Sequence, residues 1–185
     1  MARKQVTALR PVCPSPAALV VCVDADGRPN IVTLGECFNV SVRRPVIVGI
    51  AIRTATYSYG LIRDQGEFTV NLPRASMVAA VDGIGHVSGR ECNKFERFGL
   101  TPVPSLRVRP PLIAQCPLNL ECRVLTEHEV GDHQLFLGEV LVEHVEEDCL
   151  DEDGRPDPGR LEMLIFAEWQ YYATGPRVGR LGDAP

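Results

Sequence analysis

Lysine is almost missing from this chain: of nineteen cationic side chains only Lys4 and Lys94 are lysine, and the other seventeen are arginine. A basic surface is missing as well. The formal net charge is -5, and the densest cationic stretch, Arg107 to Arg109 with Arg97 nearby, is short and flanked by prolines, which argues against a nucleic-acid ligand. Long apolar runs are also absent. The longest, Ala17 to Val23 and Val46 to Ile52, have the length of strands, so neither a membrane span nor a signal peptide is expected. Cysteine pairs are lacking too. Seven cysteines, at positions 13, 22, 37, 92, 116, 122 and 149, form no Cys-x-x-Cys motif. They read as reduced thiols of a cytoplasmic protein, and Cys116 with Cys122 has no second ligand pair to make a zinc site.

Several catalytic signatures are missing in turn. There is no His-Glu-x-x-His helix for zinc hydrolysis and no Gly-x-Ser-x-Gly elbow for a serine hydrolase. Gly83-Ile-Gly85-His-Val-Ser-Gly89 has the wrong spacing for a dinucleotide fingerprint and follows a helical stretch instead of a strand. Asp24-x-Asp26-Gly and Asp151-x-Asp153-Gly put glycine fourth, not sixth, and read as turns instead of calcium loops.

What remains is a chain of 185 residues, 45% hydrophobic and 23% charged, sized for one domain with a core of its own. Val20 to Asp24 and Ile31 to Leu34 are β-rich and joined by the turn-forming Asp-Ala-Asp-Gly-Arg-Pro, which predicts a hairpin. Val46 to Ile52 predicts a strand buried on both faces. Tyr57, Leu61 and Ile62 recur at helical spacing, with Thr54 or Thr56 as cap and an end near Gly66. Glu67 to Leu72 alternates like a strand. Ser76 to Val81 and Cys92 to Phe98 read as short helices. Leu118 to Leu125 and Leu135 to Val145 resume strands around a hairpin tip at Gly131-Asp-His, and Met163 to Trp169 supplies a last one. Asp148 to Gly159, acidic with glycine and proline, reads as an exposed excursion, and the tail after Gly175 as a segment with little fixed structure. The fold class is mainly β with helical insertions, an antiparallel barrel with helices packed outside.

Two constellations could carry chemistry. Arg53-Thr54-Ala55-Thr56-Tyr57-Ser58 leaves a buried strand and opens a helix, bringing one guanidinium and three hydroxyls to free backbone N–H groups and the positive end of the helix dipole. That suits a phosphate; ordinary capping beside a surface arginine is the alternative. Asn30 and Thr33 are polar members of an apolar strand that leads to Gly35, where backbone could approach a flat ligand, or where polar side chains could simply face water. His133 sits at the hairpin tip. Lys94 is either a solvated charge beside Glu91 or Glu96, or a place where a compact ammonium is needed and a planar guanidinium would not serve.

Taken in order, Asp26-Gly-Arg-Pro-Asn30, Pro45-Val-Ile-Val, Thr56-Tyr-Ser58 with Ile62, Glu67-Phe-Thr-Val-Asn71, Ser88-Gly89 with Lys94-Phe-Glu-Arg-Phe-Gly99-Leu100, and Gly131-Asp-His133 resemble the flavin reductase-like FMN-binding family, which includes flavoredoxin. The resemblance covers residues 14–175 and leaves 176–185 as a flexible tail. It implies an FMN-binding split β-barrel of Greek-key type that forms a homodimer, with FMN held noncovalently near the subunit interface. Carried over, it makes Asn30 and the backbone of Thr33, Leu34, Gly35, Glu36 and Cys37 neighbours of the isoalloxazine ring. Arg53, Thr54, Thr56 and Ser58 become phosphate or ribityl contacts, and Ser88, Gly89, Lys94 and His133 approach from other segments. Trp169-Gln-Tyr171-Tyr172 matches a place where relatives put an aromatic near the ring. Where some relatives carry a tryptophan after the second strand, this chain has Glu36-Cys37-Phe38. The activity implied is that of an oxidoreductase in which FMN takes electrons from NAD(P)H, or of a noncatalytic FMN electron carrier that docks to a redox partner protein; no protein side chain need act as a catalytic acid, base or nucleophile.

Overall fold

Residues 17–23 form an unbroken apolar run because the strand they make is covered on both sides. In the computed structural model, which describes residues 1–182, Ala18, Val20 and Cys22 point into one core cluster while Ala17, Leu19 and Val21 point into another. Successive side chains of a strand face opposite ways, so a strand buried on both faces shows no alternation.

The elements follow in the order β1 (Ser15–Pro16), β2 (Ala18–Val23), β3 (Pro29–Leu34), β4 (Cys37–Ser41), β5 (Ile47–Arg53), α1 (Tyr57–Gln65), β6 (Glu67–Leu72), α2 (Val78–Gly85), α3 (Lys94–Arg97), β7 (Pro102–Val103), β8 (Leu112–Ile113), β9 (Leu118–Val130), β10 (His133–Val145), α4 (Pro158–Leu161), β11 (Leu164–Ala167) and β12 (Gln170–Ala173). Seven strands make one sheet in the order β3-β2-β6-β9-β10-β5-β4, antiparallel throughout. Leu34 from one edge strand and Cys37 from the other share a core cluster with Val20, Ile50, Phe68 and Phe136. Opposite edges can meet there only because the sheet curls around that core. The β9–β10 ribbon is long enough to serve both halves: β6 pairs with β9 from Arg123 to Leu118, and β5 pairs with β10 from His133 to Glu139. Register shifts at Leu137/Gly138 and Val140/Val142 bend it between them.

Helix α1 begins where Thr56 accepts a hydrogen bond from the Tyr59 N–H, so Thr56, not Thr54, is the cap. It ends where Gly66, at φ 70°, donates to the Ile62 carbonyl, a left-handed stop that suits glycine. Its Ile62 is buried in the barrel core. Helices α2 and α3 pack Val81, Ile84 and Phe95 on the outer face of β2 and β3. This is the predicted class, mainly β with helices outside.

Four local expectations need correction. The strand at Leu118 extends to Val130 and its partner starts at His133, because the tip of the ribbon is polar and exposed yet still paired. The residues after Trp169 turn back as β12 against β11. Cys37 to Ser41 forms an edge strand. The segment from Asp148 to Gly159 is not wholly exposed: Cys149 is buried and packs with Leu118 and Leu161 in a small core of its own. All seven cysteines are free thiols, and no helix among the described residues is long and apolar enough to cross a membrane. Residues 176–182 carry no helix or strand, and the last three residues of the predicted flexible tail lie outside the described residues.

Candidate functional site

The C-terminal end of β3 opens onto a cleft made of two joined hollows, of about 540 Å³ and about 430 Å³. Thr33, Leu34, Glu36, Arg53, Gly85, His133 and Trp169 line both, so the hollows are one continuous groove with different chemistry at each end.

The first end is polar. It is walled by the start of α1, the loop after α2 and Lys94. Strand β5 ends at Arg53, directly opposite His133 on β10, which brings both to the groove. The Thr56 hydroxyl donates to the Arg53 carbonyl at 2.9 Å, and Ser58, buried, accepts a hydrogen bond from Asn30 Nδ2 at 2.7 Å. Ser88 accepts from the Arg90 N–H, and the Arg90 guanidinium lies over the Tyr57 ring, 4.8 Å from its centre. The His133 ring meets Asp132 through Nδ1 at 2.7 Å. Hydrogen bonding to His133, with the charges of His133 and Arg53, holds the Asp132 carboxyl below its ordinary pKa.

Lys94 is buried, with only 5% of its surface exposed. Its ammonium donates to the Ile31 carbonyl at 2.7 Å and the Ile84 carbonyl at 3.1 Å, joining β3 to the end of α2. Burial pulls its pKa below the ordinary lysine value, against the pull of Cys92 and Cys22. Of its three N–H groups the two carbonyls take two, and the side chain still lines the groove. Behind it, burial pushes the Cys22 thiol up to about 12, so that sulfur is an inert packing group.

The second end is aromatic, walled by Phe166, Trp169 and Tyr171. Glu168 and Trp169, at φ 48° and 64°, form the two-residue turn between β11 and β12. Left-handed backbone at two non-glycine residues is uncommon and costs free energy. It sets Trp169 at the rim, 65% exposed. Into this end reaches Arg10, whose guanidinium lies 4.9 Å from the Phe166 ring centre and 5.4 Å from that of Trp169 and pairs with Glu36.

Thirteen of the sixteen predicted site residues line the groove: Thr33, Leu34, Gly35, Glu36, Arg53, Thr56, Ser58, Ser88, Gly89, Lys94, His133, Trp169 and Tyr171. Three do not. Cys37 turns its sulfur into the barrel core, as the first residue of a new strand must when its neighbour Glu36 faces the groove. Thr54 lies in the turn ahead of the cap and outside the walls. Asn30 sits behind the wall, bonded to Ser58, and its Oδ1 is a buried oxygen with no hydrogen-bond partner. The groove also uses Arg10, Arg90 and Phe166, which sequence reasoning missed. Arg90 adjoins the Ser88-Gly89 pair and could have been found from it; Arg10 lies in an arm with no periodic pattern to flag it.

The donor set fits a phosphorylated, flat cofactor such as FMN. A guanidinium, the Ser58 hydroxyl, free N–H groups of a helix start and an unpartnered ammonium N–H lie at one end, and aromatic walls lie further along. Residues 10–175 match the family model described as a flavin reductase like domain. An uncharacterised protein of Archaeoglobus fulgidus is 39% identical over 142 residues, which cover 77% of this chain and 78% of that one. The flavoredoxin of Desulfovibrio vulgaris (Miyazaki F) superposes with a TM-score of 0.91 at 33% identity, covering 99% of each chain. A ferric-chelate reductase (NAD(P)H) of Archaeoglobus fulgidus is 24% identical over 133 residues, 71% of this chain and 70% of that one.

Proposed function

For a chain that belongs to the flavin reductase-like domain family, with a flavin-related oxidoreductase or electron-carrier function, we propose that the groove holds FMN and that electrons enter from NADH or NADPH. The observation that carries this reading is the continuity of the groove: a polar end, with Arg53 and the start of α1 on its wall, joined without a break to an end walled by aromatics. Arg53, Thr56 and Ser58 would hold the phosphate and ribityl chain, with Ser88 and the Gly89 backbone closing that end. The backbone of Thr33 to Glu36 would lie along the ring, Lys94 and His133 would supply positive or donor groups to it, and Trp169 or Tyr171 would cover it. Bound FMN would supply the two-electron chemistry, taking a hydride from the nicotinamide and passing the electrons to an acceptor. The protein's part is to bind, orient and keep water from the ring; Glu36 and Asp132, both carboxylates, are the groups on the walls least suited to negative charge on the ligand.

A second reading is a noncatalytic carrier that docks to a redox partner, and the likeness to flavoredoxin at 33% identity supports it. The absorption spectrum of purified or FMN-reconstituted protein tests the cofactor: a yellow, oxidised-flavin spectrum is expected, and failure to take up FMN sinks the proposal. Steady-state oxidation of NADH and NADPH with an added acceptor then separates enzyme from carrier. Turnover is expected; none with either nucleotide, but reduction by a partner protein, leaves the carrier.

A homodimer is part of the same proposal. The edge strand β4 and the segment after it leave Phe38, Val40, Val42 and Val46 exposed, an apolar stripe that supports burial against a second copy. Sedimentation of the flavin-loaded protein tests it, with twice the chain mass expected. Seven free thiols support a reducing, cytoplasmic setting.

A further inference from the structure

Arg10 and Glu36 face each other at the aromatic end of the groove, far along the chain from one another and outside the donor set assigned to the cofactor phosphate. The Arg10 guanidinium lies against the Phe166 and Trp169 rings, and Glu36 is its one acceptor among the described residues. A guanidinium offers five N–H groups and a carboxylate about four acceptor sites. The pair therefore presents, side by side, N–H donors and acceptor lone pairs that it does not use on itself. Both side chains line the groove, and Trp169 and Tyr171 offer flat apolar contact next to them.

A primary carboxamide on a planar ring matches that arrangement. Its carbonyl takes a hydrogen bond from Arg10 while its NH2 gives one to Glu36. A carboxylate in the same place would put two anions together, and an ester would leave the Glu36 acceptor unmet. We infer that Arg10 and Glu36 recognise the carboxamide of a nicotinamide ring and so determine which electron donor the site accepts. This rests on the proposed use of NAD(P)H and names the residues that would read it.

The test uses FMN-loaded protein, wild type against R10A, R10K and E36Q. Three quantities are read: KM for NADH and for its carboxylate counterpart, reduced nicotinic acid adenine dinucleotide; the affinity of unreactive NAD+ from the perturbed flavin absorbance; and the affinity for FMN itself. R10A is expected to weaken NADH and NAD+ by about 10-fold, the loss of a charged hydrogen bond, with FMN affinity unchanged and R10K in between. E36Q is expected to narrow the preference for carboxamide over carboxylate by about 10-fold, since an amide no longer repels the anion. Unchanged nucleotide binding in R10A overturns the inference while leaving NAD(P)H as donor. Tighter binding or faster turnover in R10A overturns it too, because the arm would then be an obstruction. An equal fall in FMN affinity assigns Arg10 to the cofactor instead. Wild-type protein that neither oxidises NADH or NADPH nor binds NAD+ overturns this inference together with the donor on which it rests.

Discussion

Replacing Lys94 by methionine separates what the side chain does for the fold from what it does for a ligand. The ammonium makes two hydrogen bonds, to the carbonyls of Ile31 and Ile84, at 2.7 Å and 3.1 Å. Each charged hydrogen bond is worth about 1.5–3 kcal/mol, and each abandoned buried carbonyl costs about 1–3 kcal/mol. Against this, methionine escapes the penalty for burying a charge, the same penalty that lowers the Lys94 pKa. The balance is a loss of about 2–4 kcal/mol, or a fall in Tm of about 5–15 °C for a chain of this size. Urea unfolding of Lys94→Met, with and without FMN, measures it. The flavin-free protein should already lose this stability, and FMN affinity should fall in addition because the third N–H is gone. Lys94→Arg should not restore either, since five N–H groups would have to be satisfied where two carbonyls wait. Lys4→Met, at an exposed position, is the control. Flavin-free stability of Lys94→Met within about 0.5 kcal/mol of the parent, the range of neutral surface changes, would refute the assignment of Lys94 as the tie between β3 and α2.

Arg53→Ala should weaken FMN by about 10- to 100-fold, the loss of a charge-assisted contact to phosphate, and riboflavin hardly at all; equal losses in fluorescence titrations would take Arg53 away from the phosphate. Gly89→Ala places a Cβ 1.9 Å from Asn30 Oδ1 and 2.6 Å from its Cγ, so Asn30 must move and its bond to Ser58 break; a cost of about 1–3 kcal/mol is expected in thermal unfolding, with weaker FMN binding alongside. Glu121 is fully buried; burial alone would raise its pKa, but hydrogen bonds from the Leu106 N–H, the His144 ring and the Arg107 N–H outweigh that and lower it. A lowered carboxyl pKa gives stability that is present above the unfolded value and lost as pH falls through the folded one, so Glu121→Gln should flatten the acid limb of the stability–pH curve. An acid limb identical to the parent's would remove Glu121 as its source.

Much of this was legible in the sequence where one strong local signal met no competitor. The Asp-Gly-Arg-Pro turn fixes the β2–β3 hairpin, and Tyr57-Leu61-Ile62 with Thr56 and Gly66 fixes α1 and both its ends. The convergence of donors at the start of α1 was legible for the same reason, since capping and the helix dipole are local. Strand β4 could not be read: Phe38 to Val40 are all exposed, so the pairing with β5 leaves no alternation. The outer part of β9 hides likewise: Thr126 to Val130 are all exposed yet held by their ladder to β10. Arg10 was out of reach because nothing near it in sequence predicts its partners, Glu36, Phe166 and Trp169. For Cys37 the resemblance speaks of the backbone alone; the side chain follows the strand's period into the core.

The groove's two ends are held by interactions of different strength, and that difference bears on what each can bind. Strand β3 is tied to every helix beside the polar end by a polar side chain: Asn30 to Ser58 on α1, Thr33 to the Val81 carbonyl on α2 at 2.7 Å, and the Ile31 carbonyl to Lys94 on α3. All three lie in buried or half-buried surroundings, where hydrogen bonds are strengthened and their loss is costly. Donors fixed in this way lose little freedom when a ligand arrives, which favours a resident cofactor. The aromatic end is closed by contacts of another kind, the Arg10–Glu36 pair and a guanidinium stacked on an exposed tryptophan. Partly exposed ion pairs and stacking contribute about 0–1 kcal/mol each, so this end can open and close around a molecule that must come and go. On the proposed reading, the phosphate and ribityl chain of FMN would be held at the rigid end, and the looser end over the ring would admit an exchanging redox partner.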